Sequence, residues 1–135
     1  MKLLNVEAVL DQDKGITHAR PEIITELDDQ TTRYAILSHR WGAEVSYEEM
    51  IGLMKMEEHE REEIRQRQGY RKIIKSCEQA MKDGYKWLWN DTCCIDKRSS
   101  SELSEAINSI FRWYRNAQVC YTYLHDLDRP TLPPR

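Results

Sequence analysis

The chain is 135 residues long, one domain's worth, and enough to bury a core without disulfide or metal staples. A net charge of −3 gives no basic footprint for nucleic acid, and no apolar stretch approaches the length of a membrane span. Hydrophobic residues make up 40%, an ordinary globular value, whereas the charged fraction of 32% is raised by a run from Lys55 to Arg67.

The start of the chain carries Glu7, too early for a signal peptide. Without a secretion signal, Cys77, Cys93, Cys94 and Cys120 read as reduced thiols of a cytoplasmic protein rather than a disulfide framework. Residues 1–33 hold short apolar patches, Leu3-Leu4 and Ile23-Ile24, among turn formers. They predict an irregular lead-in or an edge hairpin, and Pro21 argues against a central strand there. Tyr34 to His39 is a near-continuous apolar run that turns polar, as a buried parallel strand does, and Gly42 permits a tight turn after it. Ser46-Tyr47-Glu48-Glu49 fits a capping box, with Met50, Leu53 and Met54 on the buried side of the helix it opens. Residues 55–68 form a charged helical insertion in which Glu57 and Arg61, and Glu63 and Arg67, are spaced to pair.

Gly69 separates that run from an amphipathic helix over Tyr70–Asp83, whose Ile73, Ile74, Cys77, Ala80 and Met81 share a face. Gly84 is its natural C-terminal stop. Then comes the stretch around which the chain is organised, Lys86 to Asp96, a strand that runs into an acidic, cysteine-bearing turn. Leu103, Ala106, Ile107, Ile110, Tyr114 and Ala117 trace a further helical stripe, and Gln118 to Leu124 reads as a third strand. Residues 128–135, with Pro130, Pro133 and Pro134, predict a loose tail. Alternating strands and helices imply an α/β fold with a short parallel sheet and right-handed crossovers, whose polar strand tips share one opening.

Three stretches resemble the fungal heterokaryon incompatibility (HET) domain. Tyr34-Ala35-Ile36-Leu37-Ser38-His39-Arg40-Trp41-Gly42 looks like the family's YAILSHxWG. Gly84 through Lys97 is similar to GYxWxWIDTCCIDK, and Ser101 through Tyr114 is close to SAELSEAINSMFRWY. Gly69-Tyr70 through Cys77 also matches the family's GYxKIxxxC helix. The likeness covers residues 34–127 and departs from the family at Asn90, where an aliphatic residue is usual; a polar contact or altered packing is expected there. The resemblance implies a role in fungal non-self recognition and programmed cell death. It also implies a flavodoxin/TIR-like three-layer sandwich. Some TIR domains cleave NAD with a glutamate on a later helix; the comparable HET stretch, RGWTLQEL, lies beyond Arg135, so the domain is expected to be incomplete at its C-terminus. NAD is then a possible substrate, with no resident cofactor expected.

Several residues could carry chemistry. Ser38, His39 and Arg40 close the first strand, where amides and a guanidinium can hold a phosphate; the plainer roles are local capping and solvation. Trp41 could stack on a base, although covering the edge of the core is the favoured role, as it is for Trp87, Trp89 and Trp113. Asp91 and Asp96 could bond ribose hydroxyls, and Asp96 is favoured as a cap. Cys93 or Cys94 could be a nucleophile with His39 as base, but a small buried hydrophobe is the favoured reading. Neighbouring cysteines cannot easily bind one tetrahedral ion, so no metal site is expected. Glu105 could reach the same crevice or merely favour the helix dipole. The expected partners are proteins or further copies of the chain. Three functions follow: an assembly module, a TIR-like NAD-cleaving hydrolase using Ser38, His39, Asp91 and Glu105, or a truncated inactive product.

Overall fold

The computed structural model describes residues 1–16, 22–38 and 43–122. The expected tail, the end of the third strand, and His39, Arg40, Trp41 and Gly42 lie outside the described residues.

The chain forms β1 (Lys2–Asn5), α1 (Val6–Asp13), β2 (Ile24–Glu26), β3 (Ala35–Ser38), α2 (Tyr47–Gly52), a 3-10 turn (Leu53–Lys55), α3 (Glu58–Arg65), α4 (Gln68–Lys82), β4 (Trp87–Trp89), α5 (Ser100–Asn116) and β5 (Val119–Thr122). The fold class is α/β, built on one five-stranded sheet in the order β2-β1-β4-β3-β5. As the sequence implies, β4, β3 and β5 are parallel: Ile36 pairs with Trp89 on one side and Cys120 on the other. The sheet as a whole is mixed, because β1 runs antiparallel to both β2 and β4.

The first 33 residues are therefore more than a lead-in. β1 occupies an interior position, and Leu3 and Leu4 are fully buried. A helix follows at once: the Asn5 side chain accepts from Ala8 N at 3.0 Å, and Val6, Val9 and Leu10 recur at helical spacing. β2 alone of this region lies at a sheet edge.

Three layers result. Trp89 meets Trp113 and Tyr114 of α5 edge-on, with ring centroids 5.6 and 6.1 Å apart. Leu88, one residue earlier, must point the other way, toward the layer where α1 and α4 pack together. The crossover from β3 to β4 and the one from β4 to β5 place their strands on opposite sides of β3. Such a reversal is where open parallel sheets bind ligands, beyond the carboxyl ends of the strands.

Helix boundaries follow sequence signals closely in places. Ser46 and Glu49 form the capping box reciprocally, at 3.1 and 3.0 Å. Gly84 ends α4 with φ +86°, in the left-handed region. The charged run is helical over α3. Glu63 pairs with Arg67 at 2.7 Å, but Glu57 lies 3.5 Å from His59 instead of reaching Arg61. Gly69 is not a separator. It sits in the first turn of α4, donates from its amide to Ala43 O at 2.8 Å, and has no room for a side chain: a Cβ would lie 2.5 Å from that oxygen.

α5 is turned relative to its expected stripe. Ala106, Ser109, Trp113 and the following Ala117 are buried, while Ile107, Phe111 and Tyr114 are 66%, 87% and 39% exposed. Trp113 is the largest side chain available to fill the space beside Trp89, and its burial fixes the face.

Candidate functional site at the carboxyl edge of the sheet

The turn after β4 is built around Asn90, which is fully buried. Its Nδ2 donates to Leu37 O of β3 at 3.3 Å, and its Oδ1 accepts from Thr92 N at 3.2 Å, from the Thr92 hydroxyl and from the Cys93 thiol at 3.7 Å. The polar contact expected of this residue is present, and it joins two parallel strands at their carboxyl ends. Cys94 N donates to Asn90 O at 2.9 Å, and Cys94 Sγ accepts from Asn90 N at 3.4 Å.

Cys93 and Cys94 are 0% and 2% exposed, and Cys77 of α4 is packed with them. The neighbouring Cys94 and burial push the Cys93 thiol well up, and burial does the same to Cys77. Enclosed thiols are out of a substrate's reach, and these side chains pack as small hydrophobes.

Above this turn lies a charged group that the sequence patterns did not single out. Glu44, in the segment leading to α2, has its Oε2 atom buried. Burial and the charge of Asp91 together raise its carboxyl to about 7, against the opposing pull of Lys72 and Lys97. Lys72 is itself only 5% exposed. The segment is held from below, since Arg67 donates to Glu44 O at 2.8 Å and to Glu49 Oε1 at 2.8 Å. Burial raises the Tyr114 hydroxyl, while Ser38, at the tip of β3, lies near it and pulls it down; that hydroxyl also senses Asp91. Ser38, Tyr114, Asp91 and Glu44 thus belong to one edge. Lys72 in the middle of an otherwise apolar helix face was the one signal that could have exposed this cluster.

The other candidates divide differently. Asp96 accepts from Arg98 N at 3.2 Å and pairs with its guanidinium at 2.9 and 3.0 Å; that pairing lowers its carboxyl. It caps the turn, the favoured reading. Glu105 is exposed on α5, with its charge felt by Arg112. The position expected of it, at the head of the helix, belongs to Glu102, which accepts from Asp96 N at 3.0 Å and from Lys2 Nζ at 2.8 Å. His39, Arg40 and Trp41 fall outside the described residues. A surface trio, Glu57, His59 and Glu60, brings its ligand atoms within 4.8 Å of one another, all exposed.

At the opposite, amino edge, Asp29 is 6% exposed. Arg112 holds it through two bonds, at 3.1 and 3.2 Å, and Asn116 through a third at 2.8 Å. Burial alone would raise this carboxyl, but those hydrogen bonds overcome it and hold the group below the usual range.

Comparison with known proteins agrees with the motifs. The family model described as heterokaryon incompatibility protein (HET) matches residues 34–133. Vegetative incompatibility protein HET-E-1 of Podospora anserina is 50% identical over 97 residues, which covers 70% of this chain but 6% of that protein. No solved structure matches. No helix among the described residues is long and apolar enough to cross a membrane. With the family model covering most of its length and half of the aligned residues identical to an incompatibility protein, the chain belongs to the heterokaryon incompatibility (HET) family.

Proposed function

We propose that this chain is a cytoplasmic signalling module of fungal non-self recognition, an innate defence. In this reading it sets off programmed cell death by assembling with protein partners or with copies of itself. The observation that carries the reading is the outer face of α5, where Phe111 is 87% and Ile107 66% exposed. Large apolar side chains grouped on one exposed face are a mark of protein contact. The β4 turn supports it too, since Asn90, Thr92, Cys93 and Asp96 are engaged in internal hydrogen bonds that hold the fold. The test is forced dimerisation in fungal cells, through a fused ligand-inducible dimerisation domain. Death on adding the inducer is expected for the unaltered chain and equally for Ser38→Ala and Asp91→Ala. Survival of all three, or survival of the variants alone, overturns it.

A second reading, cleavage of NAD in the manner of some TIR domains, is favoured by one observation. Glu44 is held near neutrality beside Asp91 at the edge where parallel sheets bind nucleotides. Water would replace nicotinamide on the ribose carbon, giving ADP-ribose, nicotinamide and a proton for which Glu44 is the nearest poised acceptor. Incubation with NAD is expected to release nicotinamide, and Glu44→Gln to abolish that release. No nicotinamide at high protein concentration removes this reading.

A further inference from the structure

The exposed side of α5 has a definite pattern. Ile107 and Phe111 stand at i and i+4, so they form one exposed ridge along the helix, with Tyr114, 39% exposed, at its inner side against Trp89. Ser104 and Asn108, also exposed, lie along one side of the ridge with smaller side chains. Charge is divided along the same helix. Exposed Glu105 lies in its first half and exposed Arg115 in its last turn, whereas Glu102 is held by Lys2 and Arg112 by Asp29.

We propose that this face docks against the same face of a second copy of the chain, the two α5 helices crossing antiparallel about a two-fold axis. This specifies the partner and surface of the assembly reading above and rests on it. Two physical arguments select a second copy. First, two large apolar residues four apart, beside smaller ones, offer a face that can pack against its own copy. A crossing at the level of residue 109 sets each Ile107 against the Phe111 of the other copy. Second, the charges complement themselves only in one direction. Antiparallel helices bring Glu105 of one copy beside Arg115 of the other, on the same flank, whereas parallel helices set the acidic halves of the two copies level with each other. A two-fold contact of this kind uses the same patch twice and closes, so it yields a discrete dimer.

The test is sedimentation equilibrium of the whole chain over rising concentration. A monomer–dimer equilibrium is expected. Phe111→Asp is expected to weaken it at least about a hundredfold, since it places a charge at the centre of the contact. Glu105→Arg or Arg115→Glu alone should weaken it about tenfold, and the two together, which restore the complementary pattern with signs exchanged, should recover it. Far-UV circular dichroism and melting of each variant show that folding is intact, as expected for exposed positions. A chain that stays monomeric throughout, a dimer indifferent to Phe111→Asp, or a charge exchange without recovery overturns the proposal. Failure here leaves the forced-dimerisation result untouched, whereas failure of the assembly reading appears as survival of cells in which copies have been brought together.

Discussion

The two ends of the parallel strands treat a carboxylate in opposite ways. At the amino edge Asp29 is held by Arg112 and Asn116 and its acidity is strengthened. At the carboxyl edge half-buried Glu44, with its Oε2 atom enclosed, lies near Asp91, and its acidity is weakened to about 7. The same functional group is held in its charged form at one edge and pushed toward its neutral form at the other. Charge pairing at the amino edge serves stability. The carboxyl edge instead keeps a group whose ionisation changes near neutrality, as sites that handle ligands or protons do.

Removing the guanidinium attacks the amino edge. Arg112→Ala leaves a 6% exposed carboxylate with Asn116 as its remaining side-chain partner, and is expected to be the most destabilising of these substitutions in denaturant titrations. The sign with pH is fixed. A carboxyl depressed in the folded state contributes stability present above its unfolded value near 3.8 and lost as pH falls through its folded one. The acid limb of the melting profile should therefore flatten in the variant, and an unchanged limb would show that the pair contributes nothing.

Gly69→Ala attacks the carboxyl edge through the backbone. The new methyl would meet Ala43 O at 2.5 Å, so the segment carrying Glu44 must shift, at about 2 kcal/mol in melting experiments. The contrast between the edges sharpens if the Glu44 titration, followed by carboxyl NMR, moves while that of Asp29 does not.

Glu44→Gln has a smaller effect that depends on pH. A carboxyl raised in the folded state contributes stability fully present below about 4.5 and lost as pH climbs through about 7. The unaltered chain should thus become less stable between pH 5 and 8, by no more than about 2 kcal/mol once partial exposure is allowed for. The glutamine variant should lack that slope. Phe111→Ser, remote from both edges, is expected to change monomer stability by less than about 0.5 kcal/mol in the same melts.

The parallel trio was legible because each strand ends in a hydrophobic run followed by polar residues, and because Ser46, Gly84 and Ser99 mark helix ends by local hydrogen bonding or backbone conformation. The interior place of β1 was not legible. Four residues carry no record of their neighbours, and Leu3-Leu4 suits an edge as well as a centre. α5 was misread by part of a turn because Ile107 and Tyr114 look like core, whereas Ser109, small enough to sit under the helix, does not. Ser38 and Asp91 were expected at strand ends, and the structure places both at the carboxyl edge. Glu44 was missed because its character comes from burial and from Asp91, 47 positions along the chain and adjacent only once folded. Glu105 was chosen for its rank in the helix, but the helix phase points it to the surface.

The thiol packing beneath the carboxyl edge gives the molecule its own stopwatch. Cys77, Cys93 and Cys94 bridge α4 to the β4 turn and are sealed from solvent, while Cys120 on β5 is half-buried. An alkylating reagent should mark Cys120 early and reach the sealed three only when helix and turn part company. The lag between the first mark and the rest measures how often that corner of the fold opens, without any label having to be added to it.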